Sequence, residues 1–343
     1  MEQYVGLDVS LKETHFCVVD GTGAVLARGR EATHPELLAA ALERHAPAAR
    51  LVVLETGGQS SWLQRALSAA GLPAVIVDAR RAKAALSCRM NKTDANDAEG
   101  LAQLAYTGWY REVAAKRPET RLTRALLLAR QQLTGQRRDI ENQVRALLRG
   151  FGLAVGSVSR AGFEARVWTL VVAEPLLEDA VGPLLAVRRA LCAEVVDLEA
   201  RIGAVARGSE VCRRLMTVPG VGPMTALSVI TAIDDPHRFS RSASVGAYLG
   251  LTPKRRQSSA MDWSGRISKQ GDALARHMLY EAANSLLSRV ARWSAPKAWA
   301  ARLVRRVGPK KARVALARKL AVILHRIWVD GTEFRWSKQA AAA

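Results

Sequence analysis

The chain has 343 residues, with 51 Lys and Arg against 31 Asp and Glu and a formal net charge of +20. That length exceeds one typical core and points to two or three domains, while an apolar content of 49% excludes a disordered chain. The basic excess makes a polyanion the expected partner, because counterion release rewards cations clustered on a phosphate backbone. The charge is polarised. From Lys254 to Lys338 there are 20 Lys or Arg and five acids, a net of +15. Cys17, Cys88, Cys192 and Cys212 lie far apart with no CxxC pair, which argues against a zinc module and a disulfide framework. The N-terminus opens directly on a strand-like pattern, and no apolar run reaches membrane-spanning length. A cytoplasmic protein with no membrane partner, nucleoid-associated when it acts, is expected.

In chain order, YVGLDVS, HFCVVD and AVLARGR are short β-rich runs separated by polar or glycine turns, the pattern of a three-strand antiparallel meander. A helix is expected from about Pro35 to His45, followed by the strand LVVLE, the helical SSWLQRALSAAG, the strand PAVIVD and a helical stretch beginning RRAKAAL. Three strands followed by alternating helix and strand predict an α/β layer fold, with a ribonuclease-H-like sheet as the best match. From Arg117 the character turns to long helices. Leu122, Leu126, Leu133, Ile140, Val144 and Leu147 mark one apolar stripe; Leu184, Val187, Leu191, Val195, Leu198, Ile202 and Val205 mark a second. The pair fits either an intramolecular hairpin or a coiled-coil dimer seam. Arg130, Arg137, Arg138 and Arg145 on the polar faces could lie along a nucleic-acid backbone or be ordinary solvated arginines. Beyond Glu210, VPGVGP precedes the helical MTALSVITAI, a helix-hairpin-helix pattern whose Gly220 and Gly222 permit a tight turn with N–H groups free to meet a phosphate. A polar segment, QSSAMDWSGRISKQGD, and two basic helical stretches complete a mostly helical C-terminal region. Lys254, Arg255, Arg256, Arg266 and Lys269 in and around that segment are further candidate nucleic-acid contacts.

Four carboxylates stand out against the basic background. Asp8 ends the first strand, Glu55 ends the fourth, and Asp94 and Asp97 in NKTDANDAEGLA lie three apart on one helix face. In a ribonuclease-H-like sheet the first and fourth strands are neighbours, which brings Asp8 and Glu55 together with the Asp94/Asp97 helix packed across them. Such a set calls for divalent cations, and hard oxygen donors suit Mg²⁺ or Mn²⁺. Two ions about 4 Å apart could clamp the attacking and leaving oxygens of a phosphodiester. Taken singly, Asp8 could simply end a strand and Asp94 could be an N-cap. Glu99 is offset on the helix and falls outside the set.

The motifs VGLDVS, LVVLET, KTDANDAE, VPGVGPMTA, YLGLTP and GRISKQGD, in this order, resemble the transposases of the insertion-sequence 110 family, DEDD recombinases related to pilin-gene invertases. The match runs from about residue 3 to residue 300. It implies a RuvC-like catalytic domain over residues 1–115, a long-helix, coiled-coil region over 116–209, and a transposase domain over 210–343 that carries a nucleophilic serine. The DEDD set then falls on Asp8, Glu55, Asp94 and Asp97. Pro253, Ile267, Ser268, Lys269 and Gly271 fit the frame around the serine and put the nucleophile at Ser258. Ser259 stands where glycine is usual and is a second candidate, and Asp262 interposes an acid in a basic stretch. A serine hydroxyl needs activation, which the resemblance assigns to the DEDD-bound metals. The resemblance also implies double-stranded donor and target DNA, a structured noncoding guide RNA that pairs with both, and a homodimer or tetramer. Two alternatives compete: a RuvC-like structure-selective nuclease that uses water, and a non-catalytic nucleic-acid-binding protein.

Overall fold

The computed structural model describes residues 2–79, 82, 93–258 and 261–336, apart from the side chain of Arg256. Most of the predicted helical stretch beginning RRAKAAL, together with Asn91, Lys92 and Ser259, lies outside the described residues. The chain divides into two compact units, Met1–Arg117 and Pro118–Ala343.

The first unit is built on a five-stranded sheet. Its strands are β1 (Gln3–Val9), β2 (Glu13–Asp20), β3 (Val25–Ala32), β4 (Ala49–Glu55) and β5 (Ala74–Val77), in the order β3-β2-β1-β4-β5. β1, β2 and β3 form the predicted antiparallel meander, and β4 and β5 run parallel to β1. Because side chains alternate across a strand, β1 divides its residues between two faces. Val5 and Leu7 join Val52, Leu54, Leu38, Leu42, Leu63 and Leu67 in one core, beneath α1 (Pro35–His45) and α2 (Ser60–Ala69). Gly6 and Asp8 belong to the other face, covered by α3 (Asp94–Thr107), whose Ala98, Leu101 and Ala102 pack on Cys17, Val19 and Val53.

Gly6 sets how close α3 can come. A β-carbon built there would lie 2.1 Å from the Ala98 carbonyl oxygen and 2.3 Å from the Ala102 nitrogen. Only glycine lets the helix backbone rest on the strand backbone, since neither side has a flexible group to move. We expect Gly6→Ala to destabilise this unit by about 3 kcal/mol, the upper part of the usual overpacking range, read as a lowered thermal midpoint of the full chain. An unchanged midpoint would mean that α3 does not sit on β1 as described.

The second unit is almost wholly helical. Two long helices, α4 (Pro118–Gly150) and α6 (Pro175–Gly208), pack along each other, with the short α5 (Phe163–Val171) against their far end. The hairpin alternative is therefore the one found within the chain. The apolar stripe on α4 matches the predicted one in part: Val144 is buried, and Leu126 and Ile140 pack partly buried against the cores. Leu122 is exposed, and Leu127 and Leu148 are buried where Leu126 and Leu147 were expected. Spacings of three and four fit either set, and the packing of α6 and the terminal core selects one. That core joins the near ends of α4 and α6 to α7 (Glu210–Met216), α8 (Pro223–Ile233), α9 (Ala243–Tyr248), α10 (Ala273–Ser288), α11 (Ala295–Val307) and α12 (Pro309–Asp330). The segment expected to be merely polar is instead a two-stranded hairpin, β6 (Pro253–Ser258) and β7 (Met261–Ile267). Among the described residues no helix is long and apolar enough to cross a membrane.

Candidate active site

The register of the sheet determines which acids meet. Leu7 pairs with Leu54 across parallel β1 and β4, so Asp8 and Glu55 are the next step of both strands, and adjacent strands run about 4.8 Å apart. Gly6 and Val53 are partners in the same ladder and lie under α3, so Asp8 and Glu55, two residues on, belong to the α3 side as well. Both line a cavity of about 290 Å³ with Ser10, Thr56, Gly57 and Ser60. Ser60, at the start of α2, donates its hydroxyl hydrogen bond to the Glu55 carbonyl and ties the end of β4 to the helix.

The helix contribution comes from the first turn of α3. Its N-cap is Thr93, whose hydroxyl accepts from the Asn96 N–H at 3.2 Å. Asp94 is therefore the first helical residue and not the cap, and Asp97 follows in the same turn. Two acids in a first turn also suit the positive end of the helix dipole. Asp94 approaches His15, with an oxygen 3.9 Å from Nδ1, and His15 is the cross-strand partner of Asp8. Sequence reasoning missed His15. The available signal was the two-strand register around the LKET turn, which sets His15 opposite Asp8 on the same face. Glu99 pairs instead with Arg28 of β3. Among the described residues no three His, Cys, Asp or Glu side chains stand close enough to hold one ion together. The candidate donors are nonetheless all carboxylates, the hard oxygen type that Mg²⁺ and Mn²⁺ take.

Ser258 ends β6, opposite Met261, and is exposed at the tip of the hairpin. The hairpin is held at both ends. Near the tip Arg255 grips Asp262 with two nitrogens, Nε at 2.7 Å from one carboxylate oxygen and Nη2 on the other. This hydrogen bond lowers the Asp262 pKa below the ordinary carboxylate range and raises that of Arg255, so the acid that looked out of place is a cross-strand clamp. At the base, the loops carrying YLGLTP and SKQGD interlock. A β-carbon on Gly250 would meet the Gln270 carbonyl at 2.0 Å, and one on Gly271 the Tyr248 carbonyl at 2.0 Å. Both glycines have positive φ, as does Lys269, whose N–H donates to the Gly250 carbonyl. The two motifs therefore hold the serine-bearing hairpin on the helical core.

The basic residues separate into two groups. Arg130 hydrogen-bonds to Glu199, Arg137 lies 3.8 Å from Glu141, and Arg145 donates to the Gly156 carbonyl at 2.7 Å. Arg138 is exposed. Lys254, Arg266 and Lys269 are exposed on or beside the hairpin, Arg255 is engaged by Asp262, and the Arg256 side chain lies outside the described residues. The VPGVGP turn does join two helices, α7 and α8; Gly222 is the N-cap of α8, while Gly220 faces the backbone of α10 near Ala282.

Comparison with known proteins bears on both units. Residues 212–300 match the profile described as "Transposase IS116/IS110/IS902 family", and residues 5–152 match a profile described as "Transposase". A transposase for insertion sequence element IS1111A from Coxiella burnetii is 30% identical over 333 residues, covering 93% of this chain and 88% of its own. The chain belongs to the IS110 family of transposases. Similar too are a probable family 20 transposase of Pseudomonas aeruginosa, 31% identical over 83% of this chain and 86% of its own, and a putative transposase of Sinorhizobium fredii, 30% identical over 85% of this chain and 76% of its own. As a family transposase the protein is an enzyme that recombines DNA, and the polyanion expected from its charge is its substrate.

Proposed function

We propose that this transposase cuts and rejoins DNA through a phosphoserine bond to Ser258, at a RuvC-like, metal-dependent site formed by Asp8, Glu55, Asp94 and Asp97. The observation that carries the reading is the register that sets Asp8 and Glu55 side by side near the ends of two neighbouring parallel strands, on the face crossed by the helix whose first turn carries Asp94 and Asp97. Mg²⁺ or Mn²⁺ bound by these oxygens, as two ions, would supply charge stabilisation at the transferring phosphate. The chain's own residues do the remaining work. Asp8 and Glu55 would offer their oxygens from the strand ends, and Asp94 and Asp97 theirs from the first turn of α3. The exposed Ser258 hydroxyl reaches phosphate without the hairpin opening. Its oxygen bonds to phosphorus as the bond to the leaving deoxyribose oxygen breaks; the serine proton passes to solvent and the leaving oxygen takes one up. The phosphate ester count is unchanged, so the step runs in either direction and suits strand exchange.

Strand exchange joins two cuts and requires at least a dimer, with a tetramer on paired sites. A structured guide RNA fits a basic protein with no motif for reading base edges, because guided systems delegate sequence choice to pairing. The test is direct. Purified protein, paired DNA sites, RNA transcribed from the flanking sequence and Mg²⁺ are expected to yield a protein–DNA adduct that survives denaturation. Cleavage with free ends and no adduct would favour the water-using nuclease. Failure to cleave or link DNA with every flanking RNA would favour a binding role.

A further inference from the structure

A cavity of about 1240 Å³ lies between the β6–β7 hairpin and α12. Its floor is apolar, with Val314 and Ile323 of α12, and two tryptophans line it. Its rim is cationic: Arg266 and Lys269 on the hairpin side, Lys310, Lys311, Arg318, Lys319 and Arg326 on the helix side. No acid is among the lining residues. The two tryptophans differ. Trp299 lies under Lys319, whose ammonium is 4.5 Å from the ring centre. Trp263 is 60% exposed, and its ring lies over Gly265 of the same strand: a β-carbon on Gly265 would come within 2.5 Å of it. The glycine therefore lets one ring face lie against the strand, and the indole stands at the groove as a platform.

A stacking platform, an apolar floor and a rim of cations are together the features that bind an unpaired polynucleotide, with bases on the aromatic and phosphates on the rim. Duplex DNA, whose bases are already stacked, would leave platform and floor unused. A docked protein segment would need enough carboxylates to answer seven cations. The location supplies the source of the strand. Trp263 pairs with Arg256, two ladder steps from Ser258, or about 7 Å along the strand.

We propose that this groove holds single-stranded DNA next to the cleavage point, with one unstacked base on Trp263 and its flanking phosphates on the Lys310–Lys319 rim. The choice of DNA over RNA rests on the reading of Ser258 as the DNA-linking nucleophile.

The test uses the full chain and three short labelled probes of one sequence: single-stranded DNA, single-stranded RNA and duplex DNA. Trp263→Ala is expected to weaken single-stranded DNA binding about tenfold, in line with the loss of one aromatic–base stack, and to change duplex binding by less than about twofold. Trp263→Phe should keep most of the affinity. A 2-aminopurine in the DNA strand should be quenched by the wild type and not by Trp263→Ala. Changing Lys310 and Lys311 together to alanine should lower the salt slope for single strands by about 1.4. Single-strand affinity unchanged in Trp263→Ala would overturn the proposal. So would an equal loss for single strand and duplex, or a loss confined to RNA. Trp263 is exposed, and matched thermal midpoints check that its variants fold. Ser258→Ala should bind single strands as the wild type does. If that variant still forms the adduct while Trp263→Ala loses the strand, the serine reading fails and the groove stands.

Discussion

Asp8→Asn is expected to abolish DNA cleavage and joining while the protein stays folded and still binds DNA. The side chain keeps its size, and Asp8 lies near the end of its strand beside a cavity and not within the apolar core, so the thermal midpoint should move little. What is lost is a charged oxygen donor beside Glu55. Even the second-layer partners of metal ligands typically cost 10- to 100-fold in affinity or activity, so losing a ligand itself should cost more than about 100-fold. Calorimetric titration with Mn²⁺ should show the same loss, and Glu55→Gln should behave likewise. Glu99→Gln is the control: its partner is Arg28, and cleavage by that variant should stay within about threefold of the wild type, as expected for a surface pair. Cleavage by Asp8→Asn at the wild-type rate would remove Asp8 from the site.

Ser258→Ala is expected to remove the covalent adduct and all joined product while leaving metal binding and DNA affinity intact. The substitution deletes one exposed oxygen at a hairpin tip. The Arg255–Asp262 clamp and the Gly250–Gly271 interlock that hold the hairpin do not involve it. Its effect should therefore be chemical and not structural, in contrast to Gly6→Ala. If Ser258→Ala still links to DNA and Ser259→Ala does not, the nucleophile moves one residue along the chain and the metal site is unaffected.

The sheet and its acids were legible because their signals are local or follow from one topological step. The alternation of Val5 and Leu7 with Gly6 and Asp8 tells the two faces apart, and the order of elements makes β1 and β4 neighbours. Residues tied by distant partners were not legible. The 253–267 hairpin carries no buried apolar alternation, and most of β7 is exposed. It is held by an ion pair seven residues apart and by a crossing of two loops, neither of which leaves a periodic pattern. The arginines of α4 read as a free basic stripe because Glu199 and Gly156, which engage Arg130 and Arg145, are far away in sequence or on another element. His15 escaped notice because a lone histidine in a strand is unremarkable until register sets it opposite Asp8. The groove beside Trp263 needed the hairpin to exist before its tryptophan and the α12 cations could be seen as one surface.

In the proposed reaction an oxygen of this chain becomes bonded to DNA at a carboxylate-held metal site. The most direct measurement is peptide mapping by mass spectrometry of the denatured, nuclease-trimmed reaction, run with the wild type and with Asp8→Asn in parallel. The expected result is a nucleotide remnant on the peptide containing Ser258, attached at that serine, in the wild type with Mg²⁺ and absent from Asp8→Asn. Cut DNA with every peptide unmodified, or a remnant equally present in Asp8→Asn, would contradict it.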